Sequence, residues 1–243
     1  MTVITLFTYK SSLFKVLIIT SVLTLLGACN SMPQQIKNLG KSDIDFVIDA
    51  HVQEQIMMIE SLIRKLYTRN PSQLPLAAKS TTINKRIFSI LGNGKTGTLP
   101  TLVFSELNNL TGADAINLGL TPLWQGDRVF AVVVGLAGML KTSYNSQTQF
   151  YMLDSLDQQA LYNSARNIEI LNWKISNRSD TNGTLLLLTD HHDVFFTDTS
   201  FDRLFTRMTM VQDMMAKIVA SKNDRGINTV VYGIAQTFLP VGI

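Results

Sequence analysis

The stretch "DRVFAVVVGLAGMLK", residues Asp127–Lys141, decides the fold. Its uncharged span from Val129 to Leu140 is apolar around most of a helical circumference, which is typical of a helix buried on all sides. Small residues at Ala131, Gly135 and Gly138 lie close to one face, so a neighbouring helix can approach closely there. The span is well below the roughly 20 apolar residues of a membrane crossing. We therefore predict a buried central helix against which the other elements pack.

Segments before this helix also carry apolar residues at helical spacing. The longest stripe begins after Ser42, a suitable N-cap, and ends before Asn70-Pro71, because a residue that precedes proline avoids the helical region. The segment Thr111–Pro122 has no clear pattern. Predicted helices therefore run from Ser42 to just before Asn70, over Ile83–Leu91 and over Pro100–Leu110.

Two further helices are predicted after the central one. Ser155 is placed as the first N-cap, with Gln158 in the capping-box position and an end near Asn177. The last helix has apolar residues at alternating steps of three and four, a heptad-like seam that ends before Asn223. We expect this seam to pack against the central helix or the uncharged tail Gly226–Ile243. Its members are Phe201, Leu204, Met208, Val211, Met215 and Ile218.

The runs "TLLLLTD" and "DVFFTD" flank His191-His192, and their β-branched and aromatic content predicts one small β-hairpin near 184–197. Residues 42–243 are long enough for one sizeable core and do not require a second domain. The sequence thus predicts an all-α, single-domain multi-helix assembly with this hairpin.

The first 28 residues have the organisation of a secretory signal peptide. Lys10 and Lys15 precede an apolar run, Val16–Ala28, that is too short to span a bilayer comfortably. The run ends in Leu26-Gly27-Ala28-Cys29, a branched residue and two small residues before a cysteine. Such an ending provides a cleavage point and a thiol that can carry a thioether-linked lipid.

This ending resembles the lipobox of bacterial lipoproteins. The resemblance implies cleavage between Ala28 and Cys29 and lipid chains on Cys29, the only cysteine of the chain. Two or more chains, at about 0.8 kcal/mol for each buried CH₂, form a durable membrane anchor. Asn30 rather than Asp follows, which in the enterobacterial pattern implies the outer membrane, facing the periplasm. The polar residues that follow predict a flexible tether over 29–41.

Cleavage changes what the charge implies. The net charge of +3 includes Lys10 and Lys15, and without them 19 basic residues face 18 acidic ones. The basic balance of the whole chain therefore gives no support to nucleic-acid binding. We expect the partners to be the membrane, through the lipid on Cys29, and an envelope protein.

The segment "SILGNGKTGT" contains Gly94-Lys95-Thr96, the last three residues of a phosphate-binding loop. The first glycine of that motif is replaced by Ser89, and a helix rather than a buried strand precedes the segment. Gly92 stands where this helix ends. We predict a helix C-cap and turn, and no nucleotide.

Two groups carry atoms that bind metals. His191, His192 and Asp193 are adjacent, but neighbouring residues of a strand point in different directions, and zinc requires three or four converging ligands. Methionines in "RMTMVQDMMAK" could hold Cu(I) or form a pliable apolar groove, although two of them already belong to the apolar seam. We therefore predict a polar hairpin turn, core packing and no cofactor. The four methionines are Met208, Met210, Met214 and Met215.

An envelope enzyme that cuts peptidoglycan needs acids that meet across a cleft. The chain has four glutamates, Glu54, Glu60, Glu106 and Glu169, each expected on a solvated helix face. No nucleophile elbow or H-E-x-x-H pair is present. We therefore expect a non-enzymatic envelope protein that acts through protein or envelope contacts. The alternatives are a carrier or sensor of an apolar ligand and a peptidoglycan-acting hydrolase.

Overall fold

The fold is all-α, as the sequence predicts. The computed structural model describes residues 43–77, 81–92, 100–146, 156–189, 191–192, 197–198, 200–223, 226–228 and 237–241. These ranges belong to one unit that extends over Asp43–Ile243. The helices are α1 Asp43–Arg69, α2 Ile83–Leu91, α3 Gly112–Gly119, α4 Arg128–Ser143, α5 Gln158–Asn177 and α6 Ser200–Asn223, with 3₁₀ turns at Pro71–Leu76 and Ser105–Leu107.

Helix α4 is the predicted central helix. It begins after Asp127, whose side chain accepts a hydrogen bond from the Phe130 amide at 3.0 Å, and it contacts α1, α2, α3 and α5. Nearly every residue from Val129 to Leu140 is buried. A Cβ at Gly135 would overlap the Gly112 carbonyl and the Ile116 side chain, so the glycine permits the close approach of α3. The small residues on this face of α4 therefore let a neighbouring helix approach closely, as predicted.

The seam of α6 is buried as predicted, but against different helices. Leu204, Met208 and Met215 have at most 7% of their surface exposed, whereas Val211 is half-buried against the core. Helix α6 packs mainly on α5 and also on α1, rather than on the central helix. Gln212, beside the seam, also contacts α4, because its amide nitrogen donates to Ser143 Oγ at 3.1 Å.

Two local predictions are wrong, and one segment without a prediction is a helix. The segment Pro100–Leu110 is not a helix: only Ser105–Leu107 makes a 3₁₀ turn, because Asn108 and Asn109 adopt positive φ. Helix α5 begins at Gln158 rather than near Ser155, and its cap is Asp157, which accepts from the Gln159 amide at 2.7 Å. The unassigned Thr111–Pro122 contains α3.

The hairpin is smaller than predicted. The prediction of a turn at His191-His192 is wrong, because these two residues form the first strand and pair antiparallel with Thr197–Asp198. The run "TLLLLTD" is not a strand, because the side-chain amide of Asn70 binds both backbone groups of Leu188, at 2.7 and 2.9 Å. Those bonds replace the ladder that a strand would need.

The described parts of the uncharged tail are held by α5. Asn167 donates to the Leu239 carbonyl and accepts from the Leu239 amide, at 2.8 and 2.7 Å. Asn163 donates to the Pro240 carbonyl at 2.8 Å, and Phe238 and Val241 pack against the core. Side-chain amides of α5 therefore bind the backbone of the described part of the tail.

Candidate functional site

Two of the places where polar side chains are buried matter most for a site, and only the second adjoins a large cavity. The first place is a closed cluster around Arg86, which is 4% exposed. Its guanidinium makes a bidentate ion pair with Glu106, at 2.6 and 2.8 Å, and reaches Asp127 Oδ2 at 3.2 Å. Tyr67 donates to the same Asp127 oxygen at 2.6 Å, and the guanidinium lies 3.7 Å from the Phe130 ring centroid.

The electrostatics of the Arg86 cluster indicate a structural role. Burial raises the pKa of Asp127, although hydrogen bonds from Tyr67 and Phe130 and the charge of Arg86 act in the opposite direction. Burial alone would lower the pKa of Arg86, but Glu106, Tyr67 and Asp127 outweigh it and raise that pKa. Each charge thus has a partner of opposite sign, and the cluster joins α1, α2 and α4.

The second place is a cleft of about 580 Å³ between α5 and α6. These helices run antiparallel, because Asn172 near the end of α5 donates to Asp202 near the start of α6, at 2.9 Å, while Arg166 bonds Asp213 further along, at 2.6 Å. The volume falls in the range of ligand-binding cavities. The lining residues are Glu169, Asn172, Trp173, Ser176, Asn177, Leu185, Thr189, Asp202, Phe205, Thr206 and Thr209.

Three buried atoms of this lining make no hydrogen bond to the described residues. They are Glu169 Oε2, Asn172 Oδ1 and Thr209 Oγ1, and Thr209 is only 8% exposed. A buried polar atom without a partner costs about 1–3 kcal/mol, so three around one cavity call for a physical explanation. A bound molecule that supplies hydrogen-bond donors would provide one.

The surroundings of Glu169 in the cleft raise the pKa of its carboxyl group. Burial raises the pKa of its carboxyl, Arg166 acts in the opposite direction, and Asp213 raises it further. Arg166 lies 3.3 Å from Glu169 Oε1 but 2.6 Å from Asp213, so one guanidinium is shared by two carboxylates. Such a carboxyl can accept from a cationic donor when ionised and can itself donate when protonated.

Few of the sequence-predicted site residues lie within the described part of the chain. His191 and His192 lie in the first hairpin strand, where their backbones pair with Asp198 and Thr197, and Asp193 lies outside the described residues. Within the described ranges, no group of three or more His, Cys, Asp or Glu side chains is placed to hold a metal ion. Ala28, Cys29 and Gly94-Lys95-Thr96 also lie outside those ranges.

The methionines of α6 divide between two environments. Met208 and Met215 are fully buried, whereas Met210 and Met214 are 60% and 48% exposed. A shared copper site or Met-lined groove is therefore wrong for these four residues, because residues two positions apart on a helix face different directions.

The glutamates are not simply solvated. Glu106 is exposed as expected but lies in a 3₁₀ turn and pairs with Arg86, whereas Glu169 is half-buried and lines the cleft. Glu60 pairs with Arg64 and Glu54 with Arg207, at 2.8 and 2.9 Å, as surface ion pairs.

Two smaller candidates are less suited to a polar ligand. A cavity of about 530 Å³ is bordered by Leu102, Met139 and Phe238 and has a mostly apolar lining. Another, of about 260 Å³, contains Lys174, whose pKa is lowered by burial and by Arg178. The carboxyl ends of α3 and α5 lie beside this lysine, and their negative dipole ends account for the cations without an added anion.

Comparison with known proteins identifies no relative: no family model, no curated protein and no solved structure matches this chain. In the described part of the chain, no helix is both long enough and apolar enough to cross a membrane.

Several residues that line the cleft stand at helical spacing in the sequence. Glu169, Asn172, Trp173 and Ser176 stand at positions i, i+3, i+4 and i+7 of α5, a stripe beside the buried apolar one. A stripe containing one carboxylate, two hydrogen-bonding side chains and a tryptophan is unusual for a merely solvated face. Asp202, Phe205, Thr206 and Thr209 repeat the same spacing on α6.

Proposed function

We propose that this chain is a lipid-anchored protein of the bacterial envelope, held at the outer membrane and facing the periplasm, that acts without catalysis by binding a polar group in the α5–α6 cleft. The lipobox-like ending at Cys29 supports the anchor. The polar group belongs to a free ligand or to an envelope protein, and the proposal requires no nucleotide, nucleic acid or cofactor.

One observation carries the binding proposal: Glu169, Asn172 and Thr209, each with a buried atom that has no partner among the described residues, line a single cavity. Packing alone gives no reason to keep such atoms, because apolar side chains of similar size would remove the cost. A function that requires a ligand does give a reason, since the ligand supplies the missing partners. Proteins retain locally unfavourable groups where binding needs them.

A second candidate function is hydrolysis of an envelope glycan. Glu169, whose pKa is raised, and Asp202 line the same cleft, and two carboxyl groups in different environments are the arrangement that glycosidases use. Release of soluble fragments from purified peptidoglycan by the wild type, and its loss in Glu169→Gln, would establish this activity instead of simple binding.

The cleft proposal is tested by thermal unfolding of the full-length protein in detergent. The compounds are alkylamines, carboxylates, sugars and fatty acids at millimolar concentration. We expect at least one polar class to raise the melting temperature, because a ligand that binds only the native state stabilises it. If none does, or if only fatty acids do, the polar cleft is not the binding site, and in the second case the cavity beside Met139 becomes the candidate.

Two matched variants locate the effect. Thr206 lines the cleft and is exposed, so Thr206→Trp fills the cleft without disturbing the core. Met210 is exposed on the same helix but does not line the cleft, so Met210→Trp is the control. The ligand shift should disappear in the first variant and persist in the second.

The anchor requires its own test. Metabolic labelling with a fatty-acid analogue should mark the wild type and fail for Cys29→Ser. Equal labelling of both proteins would remove the lipoprotein part of the proposal and leave the cleft proposal standing.

A further inference from the structure

The groove beside α5 that holds the C-terminal segment Thr237–Val241 has the chemistry of a peptide-binding site. We propose that this groove binds an extended peptide segment of a partner protein, and that Thr237–Val241 occupies it as a built-in competitor. The partner segment lacks basic residues and has an aromatic residue followed by a free backbone N–H. The inference goes beyond the proposed function, because the groove lies on a different face of α5 from the α5–α6 cleft.

Side-chain amides on one stripe of α5 bind backbone groups of the C-terminal segment. Asn167 donates to the Leu239 carbonyl and accepts from the Leu239 amide, at 2.8 and 2.7 Å. Asn163, one turn earlier, donates to the Pro240 carbonyl at 2.8 Å. Such bonds require an extended backbone and do not depend on which side chains it carries. The groove can therefore accept a segment of another chain.

The stripe is ordered by its own contacts. Gln159, one turn before Asn163, makes a paired contact with the backbone of Asn228, at 3.1 and 2.9 Å, and also donates to Asn163 Oδ1 at 2.9 Å. The last bond holds the Asn163 amide in the orientation in which its nitrogen donates to the C-terminal segment. Groups that are held in place before binding reduce the ordering cost of taking up a peptide.

The C-terminal segment covers its groove only in part. Each residue from Thr237 to Val241 is exposed or half-buried. Beside the segment lies the cavity of about 530 Å³, which Leu102 and Met139 also line. Because the lining is mostly apolar, a segment with larger apolar side chains would bury more surface than Thr237–Val241 does. That gain would allow a partner segment to displace the built-in one.

The surroundings of the groove define the side chains of the partner segment. Lys174 Nζ lies 4.2 Å from the centroid of the Phe238 ring, and a cation over a ring favours an aromatic residue at that position. Lys141 lines the adjoining cavity, so a basic residue in the segment would be repelled by both lysines. Asn163 uses only the carbonyl of Pro240, so the position two residues after the aromatic one accepts a proline.

The test is fluorescence anisotropy with the full-length protein in lipid nanodiscs and a labelled peptide that has the sequence of Thr237–Val241 and blocked ends. A matched peptide, N-methylated at its leucine, has the same side chains but lacks the N–H that Asn167 accepts. Leu239→Pro removes this donor from the protein's own segment, whereas Leu239→Met keeps it.

We expect Leu239→Pro to bind the first peptide about threefold to tenfold more tightly than the wild type or Leu239→Met does. The reason is that a tethered competitor lowers the apparent affinity, and this variant weakens the competitor by one hydrogen bond. The N-methylated peptide should bind Leu239→Pro about threefold to tenfold more weakly than the first peptide, because it also lacks that bond.

Variants of the groove locate the binding. Combined with Leu239→Pro, Asn167→Ala should weaken binding of the first peptide by roughly tenfold to a hundredfold, because two buried hydrogen bonds are lost. Asn163→Ala, which loses one bond, should weaken it by about threefold to tenfold. Asn182→Ala changes an exposed asparagine outside the groove and should have no effect. Circular dichroism spectra check that each variant keeps its helical fold.

Each other outcome overturns the proposal. Equal binding of the two peptides, or no binding to Leu239→Pro, means that the groove does not recognise a peptide backbone. If Leu239→Pro does not fold, the C-terminal segment belongs to the core and cannot be exchanged. Wild-type dimers that Leu239→Pro abolishes would make a second copy of this chain, rather than a partner protein, the source of the bound segment. These results leave the α5–α6 cleft untouched, because its ligands are tested separately.

Discussion

The Arg86 cluster and the α5–α6 cleft are both polar regions within an apolar bundle, yet they differ in how their groups are satisfied. In the Arg86 cluster, both terminal nitrogens of the guanidinium bind carboxylates, and Asp127 also accepts from Tyr67 and from the start of α4. Within this cluster, Arg86 Nε alone lacks a partner among the described residues. In the cleft, oxygens of Glu169, Asn172 and Thr209 lack partners among the described residues.

Under the proposed function, this difference separates polar groups that hold the fold from polar groups that would serve a ligand. A closed network joins helices, so removing any member leaves a buried charge exposed to an apolar environment. The unsatisfied atoms of the cleft already lower the stability of the folded state. Replacing one of these residues should therefore change ligand binding more than the free energy of unfolding. Burial alone does not distinguish the two cases; the count of satisfied atoms does.

The largest expected effect is on the closed cluster. Arg86→Met leaves the buried Asp127 carboxylate without its cation, and breaking a buried pair in this way costs about 3–5 kcal/mol of unfolding free energy. Denaturant titration measures the loss. Arg64→Met breaks the exposed pair with Glu60, and as the control it should cost no more than about 1 kcal/mol. Equal, small losses in both variants would contradict the structural role of Arg86.

The core seam of α6 comes next. Met208 is fully buried and does not line the cleft, so Met208→Ala should lower the unfolding free energy by about 2–5 kcal/mol through lost burial and a residual cavity. The exposed Met210→Ala is the matched control on the same helix and should be nearly neutral. An unchanged melting temperature in Met208→Ala would mean that this seam is a binding surface rather than core.

A smaller effect concerns the pH dependence of the cleft. Because the pKa of Glu169 is raised in the folded state, its ionised form costs stability near neutral pH, and that cost disappears as the pH falls through the folded pKa. Glu169→Gln does not titrate. The unfolding free energy of Glu169→Gln minus that of the wild type should therefore shrink between pH 7 and pH 4. A constant or growing difference contradicts the burial of this carboxyl.

The sequence predicted the elements whose pattern is long and regular. The apolar circumference of Val129–Leu140 and the seam from Leu204 to Met215 specify buried helices by periodicity alone, and both are confirmed. The helix over Pro100–Leu110 failed because Val103 fits the apolar spacing but is 49% exposed. A short segment has too few apolar positions for their spacing to distinguish a helix from an extended chain that buries two side chains.

The site could be predicted only in part. The stripe from Glu169 to Ser176 can be seen in the sequence, but the partner stripe on α6 becomes relevant only when α5 and α6 are known to run antiparallel with Asn172 beside Asp202. The ion pair between Arg86 and Glu106 joins residues of two separate elements, and no local pattern specifies such a pair. Long-range contacts of this kind depend on the packed fold.

The most direct test of an open cleft is the unfolding free energy of Thr209→Val in the absence of ligand, measured by denaturant titration. Thr209 Oγ1 has no hydrogen-bond partner among the described residues, so replacing the hydroxyl with a methyl should leave stability unchanged or raise it slightly. Ser164→Ala is the comparison, because that buried hydroxyl donates to the Leu161 carbonyl and accepts from Gln212, and its loss should cost about 1–3 kcal/mol. A loss in Thr209→Val as large as that in Ser164→Ala would show that Thr209 is already satisfied, and it would contradict the distinction between the closed cluster and the open cleft.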